Sequence, residues 1–203
     1  MNENLLRTIS DTQTGQFNWL NEAGYEKPDE ATLLIHAPGR TDFFTDPAGE
    51  HVISNAPFLY LDVSGNFRIK AQVAHAFNST WDAAVLMVRD SAERWAKLCF
   101  EATDFGTQAV VSVVTNGVSD DANGVNYHWK TVWLQVIRKG NLFAFHYGPD
   151  GEHWNMVRYF RLDAAKQIKV GMEAQCPGGD GADILFKSFS LDRQPVEDMR
   201  AGI

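Results

Sequence analysis

Two carboxylates make the strongest case for chemistry in this sequence. Glu101 and Glu173 each lie in a run of alternating apolar and polar residues. Glycoside hydrolases use two carboxyl groups, about 5–5.5 Å apart in retaining enzymes and about 6.5–9.5 Å apart in inverting ones. If the two runs lie close together in one sheet, these side chains could form such a pair, although a surface position or a pairing with arginine is also open. No complete catalytic motif surrounds either residue.

A further group of residues has the chemistry of a saccharide site. Tryptophan rings can stack on the apolar face of a sugar, and side-chain amides supply both hydrogen-bond donors and acceptors. Arginine and lysine can bind a carboxylated sugar or neutralise a neighbouring carboxylate. The same residues could instead pack at a rim, form ion pairs or face water. The ligand-binding candidates are Trp95, Lys97, Glu101, Asn116, Trp133, Gln135, Arg158, Glu173 and Gln175.

The elements that would position these residues are β-strands. Short alternating runs separated by Gly, Pro, Asn and Asp are typical of strands and turns. In Arg94–Glu101, Leu98 belongs to the apolar face, whereas Lys97 and Glu101 lie on the other face. We therefore expect Leu98 to be a core residue and Lys97 to be replaceable at small cost. The same alternation of side chains predicts one shared sheet face for six residues, namely Trp95, Lys97, Glu101, Gln135, Arg158 and Glu173.

The pattern of the whole chain predicts an all-β protein. Eleven strands are predicted, with a loop over 116–126 and a short helical turn over 163–167. Even spacing without a break in composition indicates a two-sheet antiparallel sandwich. We expect one domain over residues 1–203, with a core from about 14 to 192. The predicted strands are 32–36, 58–63, 67–74, 83–89, 94–101, 110–115, 131–138, 142–147, 157–162, 168–175 and 184–191.

Composition limits the possible binding partners of the protein and its possible cellular compartment. The 203 residues carry a formal net charge of −8, which disfavours nucleic acid and anionic membrane surfaces. The N-terminal residues lack the pattern of a signal peptide, and Cys99 and Cys176 are too few for a disulfide scaffold. We therefore expect a cytoplasmic protein. Six scattered histidines show no zinc-ligand spacing, and we expect no metal and no cofactor.

Nine short motifs occur in the order that characterises one family. The chain resembles the enolase-regulator-like family, a domain of unknown function in the concanavalin A-like lectin/glucanase superfamily. Phe44 and Asp121 stand where the family pattern leads us to expect tryptophan. The motifs are Phe17–Glu22, Thr41–Phe44, Asn55–Tyr60, Val85–Arg89, Trp95–Glu101, Ser112–Asn116 with Ser119-Asp120, Val136–Arg138, Asp150–Trp154 before Arg158, and Ala174–Pro177.

The resemblance implies a jelly-roll sandwich and leaves three functions open. Members of the superfamily include lectins, glycan hydrolases and lyases that use the concave sheet, so fold analogy alone does not choose among them. The leading hypothesis is a lectin-like module that binds a small saccharide or glycan on the concave sheet. A glycan hydrolase or lyase using Glu101 and Glu173 is the second. The third is a protein-interaction module that regulates a metabolic enzyme, through a protein partner or a homodimer.

Overall fold

The computed structural model describes residues 3–76 and 78–203, and the regular secondary structure of these residues is almost entirely β-strand. A short 3-10 helix spans Leu5–Thr8, and no helix among the described residues is long and apolar enough to cross a membrane. The strands are β1 (Asn18–Leu20), β2 (Tyr25–Glu26), β3 (Leu33–Pro38), β4 (Phe43–Thr45), β5 (Val52–Ser54), β6 (Phe58–Ser64), β7 (Phe67–His75), β8 (Ala83–Arg89), β9 (Arg94–Ala102), β10 (Gln108–Asn116), β11 (Val118–Asn126), β12 (Thr131–Lys139), β13 (Leu142–Gly148), β14 (Asn155–Arg161), β15 (Gln167–Gln175) and β16 (Gly181–Asp192).

Two antiparallel sheets pack face to face. The sheet that we call the front sheet has the strand order β1-β6-β15-β8-β9-β10-β11. The back sheet has the order β14-β13-β12-β7-β16-β3-β2, and β4 and β5 form a separate two-stranded ribbon. Sequential strands are often not neighbours, since β15 lies between β6 and β8. The prediction of a two-sheet antiparallel jelly-roll sandwich is confirmed.

Strand β9 shows how alternation builds the core. Ala96, Leu98 and Phe100 are buried in the main cluster between the two sheets. Because successive side chains of a strand point to opposite faces, Lys97 and Glu101 lie on the outer face of the front sheet. The predicted core position of Leu98 is confirmed.

The outer face of the front sheet is itself partly covered. Strand β8 is apolar on both faces, and its outward residues Val85 and Met87 are fully buried. Phe43, from the β4–β5 ribbon, packs edge-on against Phe58 and Trp95, with ring centroids 6.5 and 6.1 Å away. The ribbon therefore closes one end of this face and forms a second, smaller apolar cluster there.

Three sequence predictions of local structure were wrong. The stretch 116–126, expected to be a loop, turns at Gly117 (φ 84°) and continues as strand β11. The stretch 163–167 has no helical turn. The described residues form sixteen strands and not eleven, because β1, β2, β4, β5 and β11 were not predicted. Four of these are only two or three residues long, and β11 is an Asp- and Asn-rich edge strand held by its pairing with β10.

Candidate functional site

A buried polar cluster lies on the outer face of the front sheet, beside the part that the ribbon covers. The Lys97 ammonium donates hydrogen bonds to Asp42 Oδ1 and to Gln175 Oε1, both at 2.7 Å. Lys97 is 2% exposed, Glu101 7%, Glu173 0% and Gln175 2%. Charged residues are almost never this deeply buried unless they are paired. We call Asp42, Lys97, Glu101, Glu173 and Gln175 the polar cluster.

Strand register brings these side chains together on three adjacent strands. Across β15, β8 and β9, Glu173 aligns with Val85 and Cys99, while Gln175 aligns with Ala83 and Glu101. Glu101 and Glu173 are therefore two strands and two residues apart, which corresponds to roughly 12 Å between their Cα atoms. The intervening outward side chains of β8 are apolar, so they offer the two carboxyl groups no hydrogen bond.

Glu173 is the most deeply buried carboxyl group of the polar cluster. It is fully buried, and neither carboxyl oxygen has a hydrogen-bond partner among the described residues. Burial raises the pKa of Glu173 to about 8, and although Lys97 acts to lower it, Asp42 adds a smaller upward push. The Glu173 carboxyl therefore carries a proton at neutral pH.

Glu101 resembles Glu173 but lies closer to solvent. Burial again raises the pKa of its carboxyl to about 8, against the lowering effect of Lys97, with small upward contributions from Asp42 and Asp121. Burial alone would lower the pKa of Lys97, but the attraction of Asp42 outweighs it and the pKa lies above its usual range. At neutral pH the polar cluster is thus one ion pair between Lys97 and Asp42, together with two protonated carboxyl groups.

An exposed tryptophan borders the polar cluster. The main-chain oxygen of Trp81 accepts a hydrogen bond from Gln175 Nε2 at 2.9 Å, and its N–H donates to Ala102, the residue after Glu101. The Trp81 side chain is 46% exposed, and its φ of 67° lies in the left-handed region. A bulky residue there is strained, and such strain is commonest at functional sites. Sequence reasoning missed Trp81, although its place in the polar turn before β8 could have indicated it.

Trp95 is on the predicted face but is not a binding platform. It is 2% exposed and packs against Phe43, while the Lys97 ammonium lies 5.9 Å from the centroid of its ring. The ring therefore serves the second apolar cluster. The surface position on which the expected small cost of replacing Lys97 depends is wrong as well, because this lysine is buried and hydrogen-bonded.

Three other candidates lie on the back sheet. Trp133 is half-buried beneath the turn that follows β13, so close that a Cβ added at Gly151 would lie 2.9 Å from its ring. Gln135 is fully buried and donates a hydrogen bond to the Gly202 carbonyl at 3.0 Å. The C-terminal segment that supplies Gly202 also covers Ile137 with Val196 and Met199, so Gln135 anchors this segment.

Arg158 closes one edge of the sandwich. It lies in β14, at the edge of the back sheet, and its guanidinium contacts Asp120 Oδ1 of the front sheet at 2.9 Å. A second hydrogen bond joins it to the Asp120 carbonyl at 3.1 Å. Asn116 is exposed at the hairpin tip between β10 and β11. Both residues are therefore outside the polar cluster.

The predicted shared face is thus correct for four residues and wrong for two. Trp95, Lys97, Glu101 and Glu173 lie on the outer face of the front sheet, whereas Gln135 and Arg158 belong to the back sheet. The physical reason is that alternation fixes the face of a strand on which a residue lies. It does not fix the sheet to which that strand belongs, because this depends on long-range pairing.

The fold defines a jelly-roll β-sandwich of the concanavalin A-like class. Within that class, residues 19–194 match the family model described as "Protein of unknown function (DUF1349)". The chain belongs to this family, as the resemblance of its nine motifs had suggested.

Similar proteins agree with this placement. A protein of Saccharomyces cerevisiae called "Regulation of enolase protein 1" is 25% identical over 181 residues, which cover 89% of this chain and 91% of the yeast protein. The solved structure of a functionally unknown S. cerevisiae protein superposes with a TM-score of 0.82 at 25% identity, covering 89% of this chain and 97% of that one. Carbohydrate binding module CBM66 from Bacillus subtilis superposes with a TM-score of 0.58 at 13% identity, covering 87% and 95%. That last likeness is one of fold alone.

Proposed function

We propose that the chain binds a saccharide, neutral or weakly acidic, at the polar cluster on the outer face of the front sheet. The observation that carries this proposal is Glu173, a fully buried carboxyl group whose two oxygens have no hydrogen-bond partner among the described residues. Leaving such a group unsatisfied costs about 1–3 kcal/mol. A ligand that forms hydrogen bonds with the Glu173 carboxyl group would recover that cost. Glu173 is therefore the strongest candidate for ligand binding in the polar cluster.

A sugar hydroxyl matches the protonation state of the cluster. A protonated carboxyl group donates one hydrogen bond and accepts others, as a hydroxyl does. Glu101 and Glu173 are both protonated at neutral pH, and Lys97 is already neutralised by Asp42. Trp81, whose main-chain oxygen accepts a hydrogen bond from Gln175 and whose side chain is 46% exposed, supplies an aromatic ring of the kind on which sugars stack.

The same protonation state disfavours the hydrolase or lyase alternative. A pair of catalytic carboxyl groups needs one member ionised, as nucleophile or general base, while the other carries the proton. Here burial raises the pKa of both Glu101 and Glu173 to about 8. A binding function therefore fits the cluster better than catalysis at neutral pH.

The proposal is tested by a glycan array followed by thermal-shift titration of the sugars that bind. A saccharide that binds the folded state raises the melting temperature as its concentration rises. In Glu173→Met the orphaned carboxyl group is replaced by an apolar side chain of similar length. We expect this variant to melt higher than the wild type without ligand and to show no saccharide shift. Glu30→Met, at an exposed position, is the control and should keep the shift. Absence of any glycan binding by the wild type, or an unchanged shift in Glu173→Met, would contradict the proposal.

A protein-interaction role is the second candidate, favoured by the name of the yeast relative, "Regulation of enolase protein 1". The surface that suits it is β5, whose three residues are all exposed and whose Val52 is 71% exposed. This strand pairs with β4 on one side only, and an unpaired apolar edge can accept a strand of a partner. Size-exclusion chromatography with purified enolase tests this role. Complex formation that Ile53→Lys abolishes would support it, and two separate peaks would exclude it for enolase.

A further inference from the structure

A cleft of about 520 Å³ lies beside the first two strands of the chain. The loop 11–15 forms one wall, and Trp19, Glu22 and Tyr25 form the remainder. The volume is in the usual range for small-molecule sites. None of its residues belongs to the polar cluster, so the cleft is a separate feature of the surface.

The loop that forms the wall is fixed in place. Gly15 has a φ of 62°, and a Cβ there would lie 2.6 Å from the Thr8 carbonyl oxygen, so only glycine fits. The Ser10 N–H donates to the Gln13 carbonyl at 2.9 Å. The Tyr25 hydroxyl donates to the Ser10 carbonyl at 3.0 Å, which ties the loop to the aromatic side of the cleft. The cleft is thus formed before any ligand arrives.

Two aromatic rings and two carboxylates line this cleft. The rings of Trp19 and Tyr25 lie 6.2 Å apart between centroids, tilted by 39°. Asp11 and Glu22 are exposed and line the same cleft, and both act electrostatically on the Tyr25 hydroxyl, whose pKa is raised first by burial and then by these two charges.

The cleft contains no compensating positive charge among the described residues that line it. Lys27 lies within electrostatic reach of Asp11. Its ammonium, however, donates hydrogen bonds to the main-chain carbonyls of Leu6 and Glu30, at 2.7 and 3.2 Å, and does not line the cleft. The cleft therefore offers negative charge beside aromatic rings.

We propose that this cleft binds an alkylated ammonium group. The negative faces of aromatic rings attract cations, and tryptophan and tyrosine are the rings that recognise quaternary ammonium ligands. Carboxylates at the rim add direct Coulomb attraction. A sugar would use the rings and could donate hydroxyl hydrogen bonds to the carboxylates, but only a cation also gains the Coulomb attraction of both charges, and an anion would be repelled by them. The combination selects a cation with an apolar surface.

Choline is the probe, and its uncharged carbon isostere, dimethylbutanol, is the matched control ligand. The readout is the indole N–H cross-peak of Trp19 in ¹H–¹⁵N NMR spectra of the full chain, assigned by its loss in Trp19→Phe. We expect choline to shift this cross-peak in a saturable manner and dimethylbutanol to leave it in place. Glu22→Gln should weaken choline binding by about three- to tenfold, because one of two carboxylates is lost. Glu30→Gln, which removes an exposed carboxylate outside the cleft, should not.

Equal shifts with the uncharged isostere, or no shift with choline at millimolar concentration, would overturn the proposal. A shift with simple sugars but not with choline would overturn it too, since the cleft would then be a saccharide site. A short peptide containing trimethyllysine distinguishes the sources of the ammonium group. Tighter binding of the peptide than of choline would place the group on a protein side chain, and weaker binding would place it on a free small molecule.

Discussion

The Lys97 ammonium lies 2.7 Å from Asp42 Oδ1, so a single ion pair joins the centre of the front sheet to the residue that precedes the β4–β5 ribbon. The side chains are 3% and 15% exposed, so water screens the pair little. A second hydrogen bond from Lys97 reaches Gln175 on β15. Lys97 therefore positions the ribbon, β9 and β15 relative to one another around the two protonated glutamates.

Lys97→Met is expected to destabilise the protein by about 3–5 kcal/mol. Removing one partner of a buried ion pair leaves the other charge uncompensated, and Asp42 Oδ1 and Gln175 Oε1 would each lose the ammonium as a hydrogen-bond donor. Urea unfolding at pH 7 measures the change. Lys187→Met, on the exposed side of β16, is the control and should stay within about 0.5 kcal/mol. Similar losses in the two variants would mean that the buried pair contributes nothing.

Glu173→Gln is expected to flatten the dependence of stability on pH. A glutamate with an ordinary pKa of 4.5 in the unfolded chain and about 8 in the folded protein holds its proton more tightly when folded. Stability then falls as pH rises from about 4.5 to about 8, because the folded state binds more protons in that window. Urea unfolding at pH 6 and at pH 8.5 should therefore show that the free energy of unfolding falls less between these two pH values in Glu173→Gln than in the wild type. Equal losses would place the pKa of Glu173 near its ordinary value.

Trp81 and Trp95 are expected to respond in opposite ways to substitution. Trp95→Ala removes a 2% exposed ring from the second apolar cluster and should cost about 3–5 kcal/mol. Trp81→Gly removes a 46% exposed ring at a φ of 67°, where glycine is unstrained, so stability should change little or rise. Thermal melts measure both. A large loss in Trp81→Gly would show that the ring is part of the core and not a surface available to a ligand.

Arg158→Met is expected to cost about 1–2 kcal/mol, because the guanidinium loses hydrogen bonds to Asp120 across the sandwich edge. The ion pair itself should contribute little, since the Asp120 side chain is 73% exposed. A double-mutant cycle with Asp120→Asn should give a coupling energy below about 1 kcal/mol. A larger value would mean that the Asp120 carboxylate, and not its carbonyl, holds the edge together.

The sequence was sufficient for the fold but not for the whole site. Alternation in β9 and β15 identified the outward position of Lys97, Glu101 and Glu173, because the period of two is a local property. The burial of Lys97 was not foreseeable, since Asp42 contacts it only in the tertiary structure. Gln135 looked like a ligand amide because nothing local showed that the C-terminal segment folds back over it. Trp81 was missed although it lies in a polar turn, and its left-handed backbone conformation is seen only in the structure.

The central claim is that Glu173 is a buried, proton-bearing carboxyl group that receives a ligand hydroxyl. The most direct test is ¹³C NMR of the glutamate side-chain carboxyl carbons, titrated from pH 4 to pH 10 with and without a saccharide from the glycan array. We expect the Glu173 resonance to titrate near pH 8, as its pKa of about 8 requires, and to shift on addition of the saccharide. A resonance that titrates near pH 4.5 and does not respond to any saccharide would contradict the account.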